Sequence, residues 1–160
     1  MSAKTRLTIA IAYLCTLAAF NAEAQVPPER AAAARGALMA WLECAECTDG
    51  ELAELSKYAR EVEGALAYTL KQGPSPAKHA EIEEELRAQF RANKWPAHQE
   101  ADFVKTYLEN AKRTYQMRSV TALRALRTPG ALRTLREATN PAYGLPDDVR
   151  RAAQNALRSP

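Results

Sequence analysis

Histidine and cysteine are too scarce here to build much chemistry. The 160 residues hold two histidines and three cysteines. A zinc site would need Cys44, Cys47, His79 and His98 together, at spacings that match no short-finger pattern. The serines Ser56, Ser75, Ser119 and Ser159 lack the Gly-rich elbow of a nucleophile, and two histidines leave little choice of base. Neither the phosphate-cradling G-x-x-x-x-G-K-[ST] nor the dinucleotide G-x-G-x-x-G occurs, so nucleotide binding has no foothold. No catalytic residue, metal or cofactor is therefore expected, and the chain reads as a non-enzyme. Glycine is also sparse, six against nine prolines, and the prolines stand between apolar-periodic stretches. That pattern fits helices separated by breakers rather than a sheet protein full of tight turns. Beyond the N-terminal region, no apolar run approaches the 18 residues of a membrane span, so the rest of the chain is expected to be soluble.

What is present begins with a basic head, Lys4 and Arg6, an apolar run from Leu7 to Phe20, and a polar end at Ala22-Glu23-Ala24. These are the three zones of a cleavable secretory signal, residues 1–24, with an A-x-A site before Gln25. Fourteen apolar residues make roughly 21 Å of helix, short of the ~30 Å hydrocarbon core, which disfavours a permanent span. A lipid anchor on Cys15 is the rival reading, and Leu14 is bulky for the residue that would precede it. Cleavage predicts a periplasmic or secreted product.

Cleavage also leaves two thiols, Cys44 and Cys47, in an oxidising compartment, where a local disulfide is the default. On the chain-entropy model so short a loop contributes at most about 2 kcal/mol. Cys44-Ala45-Glu46-Cys47 also permits a thiol-disulfide oxidoreductase. Redox pairs favour a helix N-terminus, however, whereas these lie at a helix C-terminal end among Glu43, Glu46, Asp49 and Glu51, which should raise the thiol pKa. Thr48 stands where haem attachment would need histidine.

From Pro27 onward the hydrophobic spacing is helical, which predicts an all-α fold of about six helices in one domain, residues 25–160. Leu38, Trp41, Leu42 and Ala45 form the stripe of a first helix, opened by Pro27-Pro28 and ending near Cys47. Thr48-Asp49-Gly50-Glu51 is a capping box. It opens a second helix carrying Leu52, Leu55, Ala59, Val62, Leu66 and Leu70, so that 28–72 reads as a helical hairpin. Ser75-Pro76 starts a third helix to about Asn93, an inserted element whose Glu81, Glu83, Glu84 and Glu85 read as a solvated face. A long helix from about Glu100 to Arg127, another from Ala131 to Thr139, and a last one opening at Pro146-Asp147-Asp148 complete the count.

Met117 to Leu126 and Asp148 to Leu157 echo each other, with Ala122, Ala125 and Leu126 matching Ala153, Ala156 and Leu157 across Thr128-Pro129-Gly130-Ala131-Leu132. This resembles the HEAT-repeat pattern: a helix ending Ala-Leu, a turn with Pro, a second helix, then Asp and Val-Arg opening the next unit. Residues 100–158 carry the resemblance, most clearly from Met117 to Leu157. The segment Trp41 to Leu52 together with this repeat is similar to bacterial exported HEAT-like proteins. The resemblance implies antiparallel hairpins stacked as an α/α superhelix, with an irregular bundle as the alternative. It also implies a concave face of the kind such families use for proteins or peptides. With about two repeats the ends of such a stack stay uncovered, which leaves a homodimer open.

Charge supplies the functional hint. Residues 25–111 carry 10 Lys/Arg and 15 Asp/Glu, net −5, whereas 112–160 carry 10 and 3, net +7. The basic segment, with Arg118, Arg124, Arg127, Arg133, Arg136 and Arg150, is the expected partner-binding region. For an exported chain nucleic acid is excluded as a partner. Another envelope protein is the expected partner, and an anionic surface is the alternative. The plainer reading stays beside both: these arginines solubilise outer helix faces and pair with the acidic half.

Overall fold

The computed structural model describes residues 26–158. The expected signal, with Cys15 inside it, lies outside them. The described residues fall in two units, 26–32 and 33–158. No strand occurs among the described residues, and the all-α class holds. No helix among them is long and apolar enough to cross a membrane.

Among the described residues there are seven α-helices rather than about six: α1 Pro28–Glu43, α2 Asp49–Ser56, α3 Ala59–Gln72, α4 Pro76–Ala92, α5 Glu100–Leu126, α6 Pro129–Ala138 and α7 Asp147–Arg158, with 3-10 turns at Ala97–Gln99 and Pro141–Tyr143. The extra one arises because the expected second helix is broken at Lys57-Tyr58. There the Ser56 hydroxyl donates back to the Leu52 carbonyl at 2.7 Å, while Lys57 N and Tyr58 N bond three residues back, to Glu54 and Leu55. Both features tighten and end a helix. Tyr58, at φ −112° and ψ 29°, restarts the chain as α3. The first helix also stops sooner than expected, at Glu43, and leaves Cys44 to Cys47 in the link to α2.

The helix starts follow local chemistry. Thr48 N bonds Glu51 Oε2 at 2.8 Å while Glu51 N bonds Thr48 Oγ1, the full capping box. Ser75 caps α4 and Thr128 caps α6, each followed by Pro at the first helical position. These caps satisfy amides that have no partner within the helix.

Packing within residues 33–158 centres on α5, whose 27 residues run beside α2, α3, α4, α6 and α7. A stacked solenoid repeat meets only its neighbours; here one long helix is the common neighbour, and the irregular-bundle form of the expectation describes the packing. Leu55, Val62, Leu66 and Leu70 from α2 and α3 meet Tyr115, Val120 and Leu123 of α5 in one core. Small residues set the approach of the last three helices, since Ala122, Ala131, Ala138 and Ala153 are fully buried. The internal echo is therefore half structural. Ala122 and Ala153 are both buried and Leu126 and Leu157 both half-buried, but Ala125 is exposed where Ala156 is not.

Candidate functional site

The six arginines singled out by charge separate into three situations. Arg118 points inward: its Nη1 donates to the Leu42 carbonyl and its Nη2 to the Cys44 carbonyl, both at 2.5 Å. In return Trp41 Nε1 donates to the Arg118 carbonyl at 3.0 Å. The last carbonyls of α1 lack intrahelical partners and carry the negative end of its dipole, so a guanidinium there satisfies both needs. Arg118, one of the expected partner-binding residues, is half-buried and fastens the end of α1 to α5. Arg150 is half-buried and bonded to Asp147 at 2.7 Å. Arg124, Arg127, Arg133 and Arg136 are exposed, as are Arg151 and Arg158. Among the described residues none of these six is paired with a carboxylate.

They are carried by α5, α6 and α7, three helices in mutual contact. Arg127 holds a left-handed backbone, φ 51°, as the C-cap of α5. The turn it makes sends the chain straight into Thr128 and α6. The acidic half behaves differently. Glu81 binds Lys78, Glu83 binds Arg87, and Glu100 is shared by Arg87 and Arg91 at 3.2 and 3.1 Å. Arg91, then Arg87, holds the Glu100 carboxyl below its ordinary value. The acidic run on α4 is thus partly an ion-pair ladder, with Glu84 and Glu85 left exposed.

Cys44 and Cys47 stand at disulfide distance, with Cα atoms 5.2 Å apart. They lie neither within a helix nor simply at its end: Cys44 follows the last residue of α1, and Cys47 precedes Thr48, the N-cap of α2. Cys44 is buried and Cys47 exposed. Beside them Glu43 bonds Lys78 at 3.3 Å and accepts from the Tyr115 hydroxyl at 3.2 Å. Burial first, and the Glu43 carboxylate second, push the Tyr115 phenol up to about 12.

One feature escaped the sequence. Phe90, Trp95, Phe103 and Tyr107 gather where α4 turns into α5, with neighbouring ring centroids 4.4–5.4 Å apart. They line an open groove of about 520 Å³ with Gln99, Asp102 and Thr106. The spacing of Phe103 and Tyr107, and an aromatic residue in the Lys94-Trp95-Pro96 link, were the available signals. His79 and His98 are both exposed, on α4 and on the 97–99 turn. No group of three or more His, Cys, Asp and Glu side chains among the described residues is placed to hold a metal ion.

Compared with family models, curated proteins and solved structures, the chain matches none.

Proposed function

We propose that this chain is an exported, non-catalytic helical adaptor that docks on an acidic surface of another envelope protein through the arginines of α5, α6 and α7. One observation carries the reading. Among the described residues Arg124, Arg127, Arg133 and Arg136 are exposed and have no carboxylate partner, whereas Arg87, Arg91, Arg113 and Arg150 all have one. Unpaired guanidiniums on adjoining helices keep their planar forks free for bidentate contact with carboxylates, and their summed field speeds encounter with an acidic partner. Export rests on the leader-like residues 1–24.

The test is reversal of charge at Arg124, Arg127, Arg133 and Arg136, each to Glu. Partner capture from envelope extract should fall at least tenfold for the variant, and capture by the wild type should weaken as salt rises. Capture that survives reversal removes the electrostatic basis of the proposal. Binding only to anionic vesicles or wall polymer, with no protein retained, replaces the adaptor by a surface binder.

A further inference from the structure

We infer that the Cys44–Cys47 bridge is a redox-operated latch: its reduction by a dithiol frees the C-terminal end of α1 from Arg118 and loosens residues 33–43 on the rest of the bundle. The inference is independent of any partner for the arginines.

The geometry concentrates the fastening of α1 in one place. Ala34, Leu38, Trp41 and Leu42 supply its buried side chains. Among the described residues, the hydrogen bonds and ion pairs that tie 33–44 to other helices fall within Trp41 to Cys44. Trp41 donates to the Arg118 carbonyl, Arg118 binds the carbonyls of Leu42 and Cys44, and Glu43 holds Lys78 and Tyr115. The bridge closes the turn immediately after this group, and the Arg118 guanidinium reaches the carbonyl of one of the bridged residues itself. Opening the bridge releases the backbone that presents both carbonyls, so it acts on the fastening as a unit.

Access is one-sided. Cys47 is exposed, whereas Cys44 is only 8% exposed. A thiolate of the reductant can therefore attack Cys47 Sγ, forming a mixed disulfide as the Cys44–Cys47 bond breaks and its electron pair passes to Cys44 Sγ, which takes a proton. The second thiolate of the reductant then attacks the reductant's own sulfur in the mixed disulfide and releases Cys47, which is protonated in turn. Two electrons and two protons have moved from the dithiol to the pair, and the dithiol leaves as its cyclic disulfide.

Hydrogen exchange followed by mass spectrometry on the full chain, oxidised and after dithiothreitol, tests this. On reduction the amides of 33–43 should exchange faster, by up to roughly twentyfold for a four-residue loop on the chain-entropy model. Those of 100–126 and 147–158 should not change. Cys44→Ser/Cys47→Ser should reproduce the reduced pattern without reductant. Three results would each overturn the latch: equal exchange at 33–43 in both states; acceleration of 147–158 by the same factor, which makes the bridge a staple of the whole fold; and a bridge that dithiothreitol leaves intact in the native protein.

Discussion

Replacing Gly130 by Ala ought to stabilise the protein by ordinary helix rules and is expected to do the opposite. Gly130 is the second residue of α6, and Ala exceeds Gly there by up to about 1 kcal/mol of helix propensity. The space a Cβ would occupy is filled by the carboxylate of Glu63, which reaches across from α3. That carboxylate accepts a short hydrogen bond from the hydroxyl of Thr128, which itself caps α6 by accepting from Ala131 N at 3.0 Å. An Ala methyl forces Glu63 to leave. Its departure loses a charge-assisted hydrogen bond of about 1.5–3 kcal/mol and the favourable placement of an anion at a helix N-terminus, about 0.3–1 kcal/mol. Against the propensity gain of about 1 kcal/mol, Gly130→Ala is expected to destabilise by about 1–3 kcal/mol. In a Glu63→Ala background the same substitution should stabilise, by up to about 1 kcal/mol. Urea unfolding of the four members of this double-mutant cycle reads both numbers. A Gly130→Ala protein that is more stable than the parent with Glu63 present would refute the reasoning.

Other substitutions address the remaining joints. Arg127→Gly relieves a left-handed residue and should raise stability by about 1 kcal/mol in thermal unfolding; no rise would mean that φ 51° is held without cost. Gln116 is 2% exposed, with Nε2 donating to the Leu70 carbonyl at 3.0 Å and Oε1 unpartnered. Gln116→Glu places a carboxyl there whose folded pKa lies above its unfolded one. The variant should be closest to wild type in stability near pH 4 and fall further behind as pH rises to 7; a gap that does not depend on pH counts against this burial. Tyr115 has its folded pKa raised to about 12, so the stability it contributes is complete below the unfolded value near 10 and is lost as pH climbs from there through about 12. Tyr115→Phe should flatten that alkaline loss while costing about 1 kcal/mol at pH 7 through the missing bond to Glu43.

The sequence revealed what short-range chemistry decides. Thr48 with Glu51, Ser75 before Pro76, and Thr128 before Pro129 announce helix starts because a cap involves three or four consecutive residues, and all three caps are made. The break at Lys57-Tyr58 stayed hidden because the apolar steps Leu52, Leu55, Ala59 and Val62 run through it without a Pro or Gly to mark it. Arg118 could not be told from Arg124, since both sit on the same basic helix. Only the chain 74–76 residues away, bringing the carbonyls of Leu42 and Cys44, separates their roles. The same distance problem hid Glu63 over α6 and the gathering of Phe90 and Trp95 with Phe103 and Tyr107. Charge asymmetry was legible because it needs only counting. Its division into paired and unpaired arginines needed the packing of α5, α6 and α7.

Site-specific photo-crosslinking in the living cell tests the adaptor reading most directly, with a photoreactive residue placed in turn at Arg133, at Arg136 and, as control, at Glu84 on the acidic face of α4. The expected result is one dominant protein adduct from Arg133 and Arg136 and none of that mass from Glu84. Equal adducts from all three positions, or adducts from the basic positions that contain only lipid or polymer, would contradict it.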